Sequence, residues 1–144
     1  MLVQQILQSK PNHTVATIPS NATVSDAAGI LSSKRIGALV VSDDGVTVVG
    51  MFSERDIVRE LGKRGIGCMS DCVADLMTRN VSTCVQGDTA DAVLMKMTEG
   101  RFRHLPVLDD GKLVGLISIG DVVNARLSEM SIEKEALEGM IKGF

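Results

Sequence analysis

The chain has 144 residues, 44% of them hydrophobic and 23% charged, the length and balance of one ordinary globular domain able to bury a core. Only 2% are aromatic, with no Trp or Tyr, and the formal charge is −3, so base stacking and general attraction to phosphate backbones are both weak. This disfavours nucleic acid as a partner.

Cys68, Cys72 and Cys84 are an odd number of thiols, which predicts free cysteines in a reducing, cytoplasmic setting rather than a disulfide framework. The Cys68 to Cys72 spacing lacks a second Cys/His pair, so no metal site is expected. The opening residues carry neither a basic leader nor a long apolar segment, and no apolar run approaches the ~18 residues of a membrane span, so neither a signal peptide nor a membrane helix is expected.

Residues Leu2 to Gln8 predict a short helix that Pro11-Asn12 interrupts, and Val15 to Ile18 a short strand. A helix is expected from Ser25-Asp26 to near Lys34, with Ala27, Ala28, Ile30 and Leu31 on one face. Ala38–Val41 and Val46–Phe52 read as strands joined by an Asp43-Asp44-Gly45 turn, and Ser53 opens a helix to about Leu61. Lys63 to Asp71 reads as a linker and Val73 to Met77 as a helical turn. The pattern then repeats: a strand at Val81–Val85, a helix at Thr89–Glu99 closed by Gly100, and a hairpin from Leu105–Leu108 and Lys112–Ile119.

Gly45 and Gly111 are 66 residues apart, as are Thr17 and Thr83, Arg35 and Arg101, and Leu39 and Leu105. After a one-residue deletion in the second hairpin, Gly50, Ser53 and Asp56 pair with Gly115, Ser118 and Asp121 at 65. Identities spread over a whole unit mark an internal duplication. The halves are read as 1–66 with the leading helix, a linker 67–79, and 80–144 with a C-terminal helix. Each is near the size at which burial becomes marginal, so one module with a shared interface is expected. Beyond Asp121, Val123, Leu127, Met130, Leu137 and Met140 give a helix face that packs within its own protomer or dimer, or else forms a groove for another partner.

The Ser53-x-x-Asp56 and Ser118-x-x-Asp121 motifs have a purely structural reading as helix capping boxes. That reading leaves unexplained why a glycine and an apolar strand precede both. The two copies, with Arg103-His104-Leu105-Pro106-Val107 entering the second hairpin, resemble a tandem pair of CBS domains (cystathionine β-synthase domains), over about Thr14 to Val123. The resemblance implies an α/β (α+β) fold of two pseudo-twofold β-α-β-β-α repeats and a regulatory, non-catalytic module. It would bind an adenine nucleotide (AMP, ADP, ATP or NAD) in two clefts, form a homodimer and signal to a regulated protein.

Carried over by position, Asp56 and Asp121 would hold ribose with Ser53 and Ser118 beside them. Thr17, Thr83, Ile36, Gly37, Ala38, Arg103, His104 and Pro106 would flank the base or phosphate. Arg103 and His104 are assigned across to the Asp56 cleft, and Arg55 to the Asp121 cleft. The repeats differ at these positions, Arg103-His104 facing Gly37-Ala38 and Arg55 facing Gly120, so the two clefts need not take one ligand. The competing reading is a dimerising interaction scaffold indifferent to nucleotides.

Overall fold

The chain was studied as a computed structural model, which describes residues 1–11 and 14–141. Helix α1 (Val3–Ser9) leads into β1 (Thr17–Ile18), α2 (Val24–Lys34), β2 (Ala38–Val41), β3 (Gly50–Ser53) and α3 (Glu54–Arg64). A 3-10 turn (Gly65–Ser70) and α4 (Val73–Leu76) precede β4 (Cys84–Val85), α5 (Ala90–Gly100), β5 (His104–Asp109), β6 (Lys112–Ser118) and α6 (Ile119–Ile141). Two three-stranded sheets result, β1-β2-β3 and β4-β5-β6, each with one parallel and one antiparallel pairing. The fold is α+β in two related halves.

The buried strand β2 is fully apolar and packs with Ile18, Phe52 and the inner face of α2 (Val24, Ala27, Leu31) in the first core. Leu105, Val107, Ile117, Val93 and Met97 build the second. Each core is completed by the element that precedes the other repeat in sequence. Val3 and Ile6 of α1 are buried in the second core, while Val73 of α4 is buried in the first. Backbone bonds fix the exchange: the Val3 N–H donates to Asp88 O, and the Val73 N–H donates to Ala22 O.

Local chemistry sets the element ends and accounts for departures from the sequence-based expectation. α2 begins one residue early because Thr23, rather than Ser25, is its cap: the Thr23 hydroxyl accepts the Asp26 N–H and the Asp26 carboxylate accepts the Thr23 N–H. The strand expected at Val46–Phe52 pairs only from Gly50. Asp44 draws the intervening backbone out of the ladder, its Oδ1 accepting the Val46 and Thr47 N–H groups at 2.8 and 2.7 Å. α5 does not close on Gly100; the left-handed residue is Arg101, as Arg35 is for α2.

α3 runs through Gly62 to Arg64, whose guanidinium bonds Glu60 and Asp71, and stops at Gly65 (φ 73°). The segment expected to be a linker is a 3-10 turn with Cys68 buried. α6 packs on α5 and α1 through Val122 and Ala125, while residues 131–138 are exposed. The break expected at Pro11-Asn12 lies partly outside the described residues, and no helix among those described is long and apolar enough to cross a membrane.

Candidate functional site

The two halves bring their strand–helix junctions to opposite clefts. At the first, β3 ends on Ser53 and α3 begins, so the Ser53 N–H reaches Asp56 Oδ2 at 2.8 Å and the Ser53 hydroxyl reaches the same oxygen at 3.2 Å. Asp56 is only 6% exposed, and its other oxygen accepts from Arg59 Nη2 at 2.7 Å. A buried carboxylate is thus stabilised by one guanidinium and a backbone N–H, which makes it a strong fixed acceptor. Beside it lies a cavity of about 320 Å³.

That cavity draws on both repeats. The first gives Ser53, Arg55, Asp56 and Arg59; the second gives Asn80 and Ser82 before β4, and Arg101, Arg103 and His104 before and on β5. Gly37 and Ala38 form the seam: the His104 ring and the Glu54 carboxylate lie 3.6 Å from where a Cβ would stand on Gly37. Four arginines line the cavity against the two carboxylates Asp56 and Glu54, so the wall is electropositive apart from the head of α3.

The second cleft, about 630 Å³, is the pseudo-equivalent. Ser118 repeats the box: its N–H donates to Asp121 Oδ2 at 2.9 Å and its hydroxyl accepts the Asp121 N–H at 3.1 Å. The rest of the wall is mostly apolar, with Ile36, Ala38, Leu7 and Leu116, and its basic side chains are Lys10, Lys34 and His104. His104 borders both cavities. Burial holds its imidazole below the usual histidine value, outweighing the opposite pull of Asp121 and Glu54, while Lys10 and Arg103 add to the depression.

Gly37, Ala38, Ser53, Arg55, Asp56, Arg103 and His104 meet at the first cleft, and Ile36, Gly37, Ala38, His104 and Ser118 at the second. Arg55 is a correction: it shares the first turn of α3 with Asp56 and lines that cleft, not the Asp121 one. Thr17 and Thr83 line neither cleft. The neighbours Ala16 and Ser82 do, because side chains alternate along an extended chain and the threonines fall on the other parity. Pro106 is buried in β5 and lines neither. Asp121 is not among the residues on the wall of its own cleft, and its carboxylate is bonded by Lys10, which is.

Lys10, Lys34, Arg59 and Arg101 were missed by sequence reasoning. Arg59 was available from its i, i+3 spacing to Asp56, and Arg101 from its repeat partner Arg35. The thiols at Cys68, Cys72 and Cys84 are free; burial pushes that of Cys84 up to about 11, which suits a core residue rather than a nucleophile.

The CBS domain model matches this chain twice, at residues 3–63 and 73–128. Among solved structures, a CBS-domain containing protein from Agrobacterium tumefaciens is 42% identical, covering 88% of this chain and 99% of its own, with a TM-score of 0.83. A CBS domain pair in complex with 5'-methylthioadenosine and S-adenosyl-L-methionine is 30% identical over 90% of this chain and 98% of its own, at a TM-score of 0.77. A CBS domain protein from Pyrobaculum aerophilum complexed with AMP is 26% identical over 84% of this chain and 89% of its own, at 0.74. The chain spans about a quarter of the length of the first curated relatives it matches, from Arabidopsis thaliana. With two matched repeats and this shared architecture, the chain belongs to the CBS domain family.

Proposed function

We propose that this chain is a regulatory module that binds an adenine nucleotide in the Asp56 cleft and passes the binding event to a partner protein. The observation that carries the reading is the placing of one buried carboxylate and four arginines, two of them from the other repeat, on the wall of a single cavity. Asp56 would accept the ribose hydroxyls, and Arg55, Arg101 and Arg103 would take the phosphate, a charge-assisted pairing that suits AMP, ADP, ATP or NAD. A volume near 320 Å³ lies at the lower end of small-molecule clefts. Two similar proteins support the class: one is complexed with AMP, the other with adenosine-containing sulfur compounds.

The module acts as a homodimer in this reading. Val58 on α3 and Leu127 on α6 are 67% and 59% exposed, large apolar groups that a second copy would cover. The same exposed faces favour a second reading, a dimerising scaffold that needs no ligand.

Thermal denaturation separates the two. A nucleotide at a hundred times its dissociation constant should stabilise the folded chain by about 2.7 kcal/mol. AMP, ADP, ATP and NAD all leaving the melting temperature unchanged would decide for the scaffold. In the regulatory reading, Asp56→Ala weakens AMP binding about ten- to a hundredfold by calorimetric titration. The ligand-free variant must be melted in parallel, because losing the box costs about 1 kcal/mol in its own right.

A further inference from the structure

The two incoming helices are docked alike, yet they are not the same distance from their strands. Leu7 of α1 lies over Gly115 as Met77 lies over Gly50. Leu7 and Met77 are 70 residues apart while Thr17 and Thr83 are 66 apart, so the first copy carries four extra residues between helix and strand. Lys10 lies in that longer stretch. In the second copy the shorter connection gives Thr78, Asn80, Val81 and Ser82 to the Asp56 cleft but no ammonium, and its one cation, Arg79, bonds Ala74 O instead.

Lys10 reaches Asp121, where the matching position after Met77 is the uncharged Asn80. Its ammonium lies 2.9 Å from Asp121 Oδ2 and donates to Leu116 O at 3.0 Å, with the two side chains 29% and 20% exposed. The consequence is an asymmetry that the matched aspartates conceal. Asp56 lines its cleft directly, whereas at the second cleft Lys10 lines the wall and the aspartate it bonds does not. The second wall holds Lys10, Lys34 and His104 and no carboxylate.

We propose that Lys10 is the specificity-determining residue of the second cleft, selecting nucleosides that carry a phosphate over those that do not; this rests on the nucleotide-binding reading above. A phosphate gives the ammonium a new anionic partner. The exchange frees the Asp121 carboxylate to accept the ribose hydroxyls while the ammonium keeps an anionic partner. An unphosphorylated nucleoside offers nothing in return: either its diol stays off Asp121, or the ammonium is parted from its carboxylate inside a largely apolar cavity, which is costly.

The test titrates AMP and adenosine calorimetrically into the full chain carrying Asp56→Ala, which weakens the first cleft, with Lys10 intact, Lys10→Met and Lys10→Arg. With Lys10 or Arg in place, AMP should bind about ten- to a hundredfold tighter than adenosine. Lys10→Met should erase that preference, strengthening adenosine and weakening AMP. An unchanged AMP-to-adenosine ratio in Lys10→Met overturns the proposal while leaving the nucleotide reading intact. Binding of AMP by the parent chain but not by Asp56→Ala also overturns this proposal alone, and no binding by either takes both down. Ligand-free melting curves verify folding, and Lys10→Gln serves for the same comparison if Lys10→Met does not fold.

Discussion

His104 borders both clefts, as Gly37 and Ala38 do, and its environment sets a pH dependence. Facing it are Asp121, Glu54, Lys10 and Arg103, and burial outweighs the two carboxylates, so its value in the folded chain lies below the 6.5 of an unfolded one. The unfolded chain therefore takes up the proton first as pH falls, and folding stability from this group drops as pH goes below 6.5. Above 6.5 the imidazole is neutral in both states and the contribution is flat. His104→Gln should accordingly reduce the loss of stability between pH 7 and 5, read from urea midpoints across that range. An identical slope in parent and variant would show that other groups control it. Because His104 borders both cavities, the same substitution touches both clefts, whereas Lys10→Met touches only the second.

At the scale of the element, the glycine that opens each Gly-x-x-Ser-x-x-Asp stretch has a packing cause. A Cβ on Gly50 would stand 2.5 Å from Met77 Sδ and 3.0 Å from the Thr78 carbonyl oxygen, and one on Gly115 would stand 2.8 Å from a Leu7 methyl. The glycines let an incoming helix lie against the strand that carries the box, so strand, helix start and docking helix are one device. Gly50→Ala should cost about 1–3 kcal/mol by overpacking. Shortening the opposing side chain in a Gly50→Ala, Met77→Ala double variant should cost less than the two single changes added together, as contacting positions do. Urea denaturation of the four chains reads this directly, and strict additivity would place the strain elsewhere. The recurrence of Gly50, Ser53 and Asp56 as Gly115, Ser118 and Asp121 made this device legible in the sequence, because identical local chemistry leaves identical residues. What hid was whatever depends on a non-repeating contact: the Asp44 carboxylate that takes the Val46 and Thr47 N–H groups from the strand, and the Lys10 side chain that reaches 106 residues along the chain to Leu116. Spacing within one element says nothing of such partners.

Over the whole molecule the sequence repeats and the packed cores do not coincide. Read along the chain, α1 belongs to the first half; in space it closes the second, with Val3 and Ile6 buried beside Val93, Leu105 and Ile117. α4 makes the reciprocal contribution to the first core. Two halves of this size would each be marginal alone, and exchanging their leading helices makes each core depend on the other's chain segment. It also ties the clefts to the cores: the turn after α1 carries Lys10 to Asp121, so anything that loosens α1 loosens the second cleft before the first. Ile6→Ala tests this. Ile6 is 2% exposed, and truncating it should cost about 2–5 kcal/mol through lost burial and the cavity left behind. The loss should not be spread evenly. Amide hydrogen exchange should quicken first in β4, β5, β6 and α5, the elements that α1 covers, with β1, β2 and β3 retaining more of their protection, because sub-global openings follow packed units rather than sequence order. Val73→Ala should give the mirror result, quickening the first sheet. If Ile6→Ala instead loosened β1–β3 ahead of β4–β6, the leading helix would be supporting the repeat it precedes, and the exchanged packing would not govern how the molecule opens.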